Sequence, residues 1–333
     1  MDTVREVIVR QWSLGECPEH PLKYATDKYI VTKSISLLTQ DQWMHLFALA
    51  IGLFLLRIVL NKLVLLPLVK LIGGLEHEYD RWLECMWQLL FYLCAWLLCS
   101  WAVSEETFFT ETWRCWEPPF PNQTMSPSIY WLYMLEMGWY LYGAYAHVFI
   151  EPRKRDFWEM LLHHIAAFFL LYMSLNLGYW RVGTLVLYSL DLCDVYMQAC
   201  KMLRLLDNCR PVGEVLKSLM FVVLVLAWLY FRIALYAAKV IYTTAYVPLA
   251  FAGYHNCDYY FAFNGLVIFV WLLQIFWFYL IVKVAYLKVK FGMELDDARD
   301  FTAQKNLEVL EELEKGAKKG PANGGKKKKK KSA

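Results

Sequence analysis

The chain has 333 residues, 59% of them hydrophobic and 20% charged, with a formal net charge of +3. Soluble domains average about 45–50% apolar and about 25% charged residues, and here the apolar excess is gathered into uninterrupted runs near the ~20 residues that cross a bilayer. A soluble globule, a disulfide scaffold and a disordered chain are excluded, and the composition predicts an all-α, polytopic membrane protein.

Residues 1–43 make an N-terminal segment, of which 1–38 contain no compact apolar core followed by a small-residue cleavage site, so no removable signal peptide is expected, and Asp2 stands where myristoylation requires glycine. About seven transmembrane helices are predicted next, over 44–60, 83–103, 129–150, 157–177, 182–200, 216–240 and 260–285. Together they make one membrane domain over 44–285, followed by a charged tail over 286–333.

Basic residues crowd alternate loops: Arg153, Lys154 and Arg155 after the third run, Lys201, Arg204 and Arg210 after the fifth, and lysines after the seventh. Short basic loops stay cytosolic, which predicts a cytosolic C-terminus and a luminal N-terminal segment, although Arg5, Arg10, Lys23, Lys28 and Lys33 weigh against this orientation. Asn122 opens a glycosylation sequon in a loop of the luminal side. Cys115 and Cys257 fall on that same oxidising side and are a candidate disulfide, whereas most of the other cysteines sit in apolar runs as small core residues. The tail ends in Lys326–Lys331 and is expected to be disordered there. Its lysines read either as a solvated tail drawn to anionic headgroups or as an address, with Lys330 and Lys331 at the spacing of a di-lysine retrieval signal for the endoplasmic reticulum.

Ionisable groups inside spans are costly, about 2.5–3.5 kcal/mol each at the centre, and mark candidate sites. The fourth span carries His163 and His164, the fifth Asp191 and Asp194, the third Glu136 and His147, and the sixth Arg232. At 1.5 Å per residue, the histidines lie about 10 Å and the aspartates about 10–15 Å from the cytosolic surface, one shared layer. An imidazole oriented by a carboxylate can act as base or nucleophile in acyl transfer. A hydrogen-bonded polar core is the structural alternative, and a cation held by the histidine and aspartate pairs another; helical spacing does not readily bring four such ligands to one centre, so no metal is expected. Glu136 and Arg232, both placed in the luminal third, are expected to form a structural ion pair. His147 is expected to snorkel, and Asn264 and Gln274 to bond between helices.

The series Arg155-Asp-Phe157, His163-His-Ile-Ala166, Arg181-Val-Gly-Thr184, Leu190-Asp-Leu-Cys-Asp194 and Ala199-Cys-Lys-Met-Leu203 resembles the signature of the ceramide synthases, membrane N-acyltransferases with a TLC domain. Tyr130-Trp131 with Glu136, Arg232, Phe263-Asn264, Ile275-Phe-Trp277 and Asp296-Asp-Ala-Arg-Asp300 extend the likeness in the same order. The resemblance implies a seven-span fold on the endoplasmic reticulum and transfer of a fatty acyl group from acyl-CoA to a sphingoid base. It implies catalytic roles for His163, His164, Asp191 and Asp194, with acyl-CoA as co-substrate and no permanently bound cofactor. Arg153, Lys154 and Arg155 would meet CoA phosphates at the cytosolic mouth, with Arg181 and Tyr188 as further substrate-binding residues. The sequence departs from the family where Leu190 replaces a histidine before the first aspartate, Gln274 a second histidine and Ala167 a threonine. Leucine exchanges no proton, so a step using that imidazole must be lost or taken over, with Tyr188 or Asp191 as candidates.

Two functions therefore stand at this stage: an acyl-CoA:sphingoid-base N-acyltransferase, or a non-catalytic TLC-domain regulator, lipid sensor or partner of an active synthase. Expected partners are acyl-CoA, a sphingoid base, membrane lipids and a homo- or hetero-oligomeric synthase, with no nucleic acid.

Overall fold

The computed structural model describes residues 38–117, 120, 122–151, 153, 157–250 and 259–291. Every regular element among them is helical: α1 (Gln40–Leu60), α2 (Leu66–Ile72), α3 (Tyr79–Ser104), α4 (Pro127–Phe149), α5 (Phe157–Leu177), α6 (Trp180–Cys209), α7 (Glu214–Ala227), α8 (Val247–Ala250) and α9 (Tyr260–Phe291). A π-turn, Asn61–Leu65, joins α1 to α2, and a π-helical stretch, Trp228–Tyr246, joins α7 to α8. The protein is a multi-pass membrane protein in which the rods containing α1, α3, α5, α7 and α9 are each long and apolar enough to cross a bilayer. The other two long rods, α4 and α6, coincide with the third and fifth predicted spans. The tail with Lys330 and Lys331, most of the N-terminal segment, Cys257, Lys154 and Arg155 lie outside the described residues.

Local sequence sets several boundaries. Thr39 caps α1 and accepts from the Gln42 amide at 3.3 Å, while the Gln42 side chain accepts from the Thr39 amide at 2.9 Å, a reciprocal capping box. Pro127 starts α4, where its missing amide costs nothing. Four rods outrun their predicted ends, reaching Ile72, Cys209, Tyr246 and Phe291, because polar residues near a rod's end do not stop a helix that packs on its neighbours.

Consecutive rods alternate in direction and give the bundle two ends. At the end where α5 joins α6, residues 105–117 form a cap of two short 3₁₀ turns, Thr107–Phe109 and Thr112–Trp116. Phe108, Phe109, Trp116 and Phe120 bury themselves there with Ile129, Tyr133, Trp180, Leu185 and Tyr236 in the largest hydrophobic core. Cap and rods are tied through main-chain oxygens: Trp116 Nε1 donates to Thr243 O at 2.8 Å, Lys239 Nζ to Phe109 O at 2.7 Å and Arg181 Nη1 to Arg114 O at 2.5 Å.

Gly183 shows why a small residue stands in the Arg181–Thr184 motif. The Tyr133 hydroxyl donates to Trp180 O at 2.9 Å and lies 3.0 Å from Ser174 Oγ, tying α4, α5 and α6 together. A Cβ on Gly183 would overlap that hydroxyl and stand 2.7 Å from Ser174 Oγ. Gly183→Ala should therefore destabilise the protein by about 1–3 kcal/mol through overpacking. Gly265→Ala, in open space on α9, should leave the thermal midpoint of the detergent-solubilised protein within error of wild type, which makes it the control for that measurement.

Candidate active site

Deep in the bundle, Arg232 of the π stretch organises a polar layer. Its Nη2 donates to Asp194 Oδ2 at 2.6 Å and to Leu190 O at 2.9 Å, its Nε to Leu190 O at 3.2 Å, and its Nη1 to Gln274 Oε1 at 3.0 Å. The guanidinium lies over the Trp228 ring at 4.2 Å, and Trp228 Nε1 donates to Gln274 O at 3.1 Å. One cation thus joins α6, the π stretch and α9. Glu136 is not its partner, contrary to expectation: Arg232 is engaged by Asp194, and Glu136 Oε1 is buried without a donor. The depth estimate erred because α6 runs on to Cys209 and the sixth rod to Tyr246. Asp194 accordingly sits mid-helix, level with Arg232 and not near one surface.

The histidine pair belongs to α5 and faces α4. The Tyr140 ring lies 6.0 Å from His163 and 5.9 Å from His164, while Trp277 of α9 meets His163 edge-on at 6.0 Å. Glu136, Tyr140, Gly143 and His147 recur at helical spacing and form one stripe of α4. At Gly143 the helix surface is cut away: a Cβ would stand 2.9 Å from His164 Cε1 and 3.0 Å from its Nδ1. His164 Nδ1 is buried without a hydrogen-bond partner. Among the described residues no hydrogen bond joins either imidazole to either aspartate, because Asp194 is held by Arg232, yet the charges of Asp194 and Arg232 both act on His163. Tyr92 of α3 meets Trp139, the neighbour of Tyr140, edge-on at 5.7 Å. The layer therefore holds two imidazoles, three carboxyl groups, two phenols and one guanidinium in low dielectric, able to exchange protons and to stabilise developing charge. Among the described residues no three histidine, cysteine or acidic side chains gather as metal ligands.

Other expected residues fall elsewhere. Arg181 begins α6 at the cap end, about 15 Å of helix from Asp191, where it stacks on Phe108 and Trp180 and bonds to the cap. It is placed to hold the cap. Tyr188, one turn from Asp191, packs on Phe109 at 4.8 Å and Trp96 at 6.1 Å. Arg153 is exposed beside the start of α5 and lies over the Phe157 ring at 5.2 Å. Asn122 is exposed on the cap. Cys115 is a free buried thiol, pushed up to about 12 by that burial, and its expected partner is outside the described residues. His147 does not snorkel: it is 6% exposed, donates from Nε2 to Phe157 O at 2.9 Å and sets Nδ1 3.6 Å from Glu151. Sequence reasoning missed Tyr140, Tyr92 and Gly143; the four-residue step from Glu136 to Tyr140 was the available signal for the first.

The TLC-domain family model matches residues 81–283, a stretch that contains this entire layer. The chain belongs to the TLC-domain family. Its relatives there include human ceramide synthase 4, 33% identical over 219 residues that cover 66% of this chain and 53% of the human protein. Ceramide synthase hyl-1 of Caenorhabditis elegans is 29% identical, with 65% of this chain and 60% of the relative covered. Ceramide synthase LOH1 of Arabidopsis thaliana is 30% identical, with 60% and 66% covered. The matched stretch thus spans about half the length of the first of these relatives.

Two substitutions probe the layer. Arg232→Met leaves Asp194 without its cation and should cost about 3–5 kcal/mol, read as a fall in thermal midpoint, with Arg232→Lys falling less because the charge remains. Gly143→Ala should displace His164 and lower the thermal midpoint through overpacking while the circular dichroism spectrum stays helical.

Proposed function

We propose that this chain is an N-acyltransferase of the endoplasmic reticulum membrane that joins the acyl group of a fatty acyl-CoA to the amine of a sphingoid base. The observation that carries this reading is the half-buried histidine pair of α5 set against Tyr140, beside the Asp194–Arg232 ion pair and inside the family-matched stretch. A thioester needs a base or nucleophile to transfer its acyl group, and an imidazole supplies either. In one course His163 or His164 accepts a proton from the amine as nitrogen attacks the carbonyl. In the other an imidazole takes the acyl group first and passes it to the amine. In both, the N–C bond forms, the C–S bond breaks and the thiol of CoA leaves with a proton.

The remaining assignments belong to the same proposal. The basic end faces the cytosol, the C-terminus lies there with Lys330 and Lys331 as a retrieval signal, and Arg153, Lys154 and Arg155 meet the CoA phosphates. Asp194 acts through Arg232, whose charge then stabilises the tetrahedral oxyanion, and Asp191 serves the proton traffic of the layer. Acyl-CoA is a co-substrate, and no cofactor is bound permanently.

The purified protein given acyl-CoA and sphinganine should yield dihydroceramide by lipid mass spectrometry, and His163→Ala or Asp194→Ala should abolish it. Unaltered product from both variants would remove the site assignment.

A second reading, a non-catalytic partner of an active synthase, is favoured by one observation: the Leu190 side chain has no proton to exchange, and its carbonyl is taken by Arg232. That reading predicts no product from the isolated chain and a stable complex with an active paralogue. Leu190→His should raise turnover severalfold if the missing imidazole limits the rate, and leave it at zero if the chain is only a partner.

A further inference from the structure

His147 stands in the last turn of α4, at the end of the bundle opposite the cap, and is 6% exposed. Its Nε2 lies 2.9 Å from Phe157 O, and because a carbonyl only accepts, that nitrogen carries the hydrogen of the neutral ring. Stacking on the Phe157 ring at 4.7 Å holds the same orientation. Nδ1 is therefore the nitrogen that can gain and lose a proton, and it faces Glu151 Oε2 at 3.6 Å. The other oxygen of that carboxylate, Oε1, stands 3.6 Å from Arg57 Nη1, which also donates to the Tyr142 hydroxyl at 2.6 Å. Glu151 thus spans a cation of α1 and an imidazole of α4, with 17% of its side chain exposed at the rim.

On its inner side His147 meets the histidine pair. The His147 and His164 rings lie 6.0 Å apart, centre to centre. Gly143, one turn before His147 on the same face of α4, lets His164 Nδ1 approach to 3.0 Å from the place a Cβ would take. Three imidazoles and a carboxylate therefore run in order, His163, His164, His147 and Glu151, from beside the Asp194–Arg232 pair to the rim. The other charge at this corner is Arg57 of α1, acting through Glu151, while from α3 the Trp87 ring reaches it against Tyr142.

Acyl transfer to an ammonium requires such a line. An ammonium and a thioester together hold one proton more than an amide and a thiol, and the lipid around the rods offers that proton no acceptor. We propose that His147 and Glu151 are positioning residues that act through His164 to carry this surplus proton out of the bundle, an assignment that rests on the acyltransferase reading. The ammonium gives one proton to the His163–His164 pair, and the freed amine nitrogen bonds to the acyl carbon as the carbon–sulfur bond breaks. The second amine proton goes to the CoA thiolate. The first passes from His164 to Nδ1 of His147, across a gap that one bridging water or one rotation of the His164 ring spans. Glu151 stabilises the imidazolium so formed and hands its proton to the water at the rim, while Arg57 holds the carboxylate in place.

The test measures amide formation by the full chain in detergent as imidazole is added to the buffer. His147→Gln keeps a donor for Phe157 O but has no nitrogen that titrates. It should lower kcat at least about tenfold while the KM values for amine and acyl-CoA move less than about twofold. Added imidazole should restore kcat in that variant in proportion to its concentration and leave wild type unchanged, a rescue that a merely structural loss does not allow. Glu151→Gln should behave alike, and Glu151→Asp, which keeps the charge, should fall between it and wild type. A wild-type kcat in His147→Gln, a loss that imidazole does not relieve, or equal stimulation of wild type overturns the proposal. If His147→Gln does not fold, Glu151→Gln decides by the same criteria. A wild type that makes no amide overturns the acyltransferase reading and this assignment with it, whereas an active wild type with unaffected variants overturns this assignment alone.

Discussion

The Arg232 guanidinium is the interaction on which the interior depends. Lipid offers polar groups no alternative partners, so a charge placed inside a bundle must be matched by the protein itself. Arg232 meets this condition on four sides at once, with Asp194, the Leu190 carbonyl, Gln274 and the face of Trp228. Because these groups come from three rods, the guanidinium fixes the register of α6 and α9 against the π stretch between them. That stretch is 19 residues long, well beyond the single-turn bulges in which π geometry is usually found.

The departures from the family signature acquire a physical meaning in this setting. Leu190 contributes its carbonyl, which any residue possesses, and its side chain joins the apolar core. Gln274 contributes an amide oxygen to the guanidinium, an acceptor that neither gains nor loses a proton. Both positions thus serve Arg232 without adding a titrating group. The chemistry of the layer is thereby confined to the histidines of α5, the stripe on α4 and the aspartates of α6.

Much of the architecture was legible in the sequence because the hydrophobic runs are long and the bilayer fixes their length. The seven predicted runs fall on the rods, and the polar residues singled out inside them fall within or beside one layer, except Arg181 and Asn264, which bond at the cap end. The partner of Arg232 was not legible. Depth along a rod was counted from loops assumed to lie in a common plane, whereas α6 and the sixth rod overshoot their predicted ends. Arg181 falls outside the layer for a different reason. A cation in a signature motif suggests an anionic ligand, but here the guanidinium bonds to a main-chain oxygen of a segment that sequence periodicity does not place. Tyr140 went unremarked because tyrosine is common in these spans, and only its position between the imidazoles and the carboxyls sets it apart.

The fastening of the cap has an implication for how its composition can drift. Trp116, Lys239, Arg181 and Gln123 all grip peptide oxygens, of Thr243, Phe109, Arg114 and Glu117 respectively. Such oxygens are supplied by the backbone whatever side chain is attached, so the moorings survive replacement of the residues that offer them, provided the path of the chain is kept. Side-chain identity at Phe109 is then answerable to volume, apolarity and the ring face that Lys239 and Tyr188 meet, while the four gripping residues are answerable to reach and donor number. Relatives that preserve the grips can rewrite the intervening letters and still keep this end of the bundle covered.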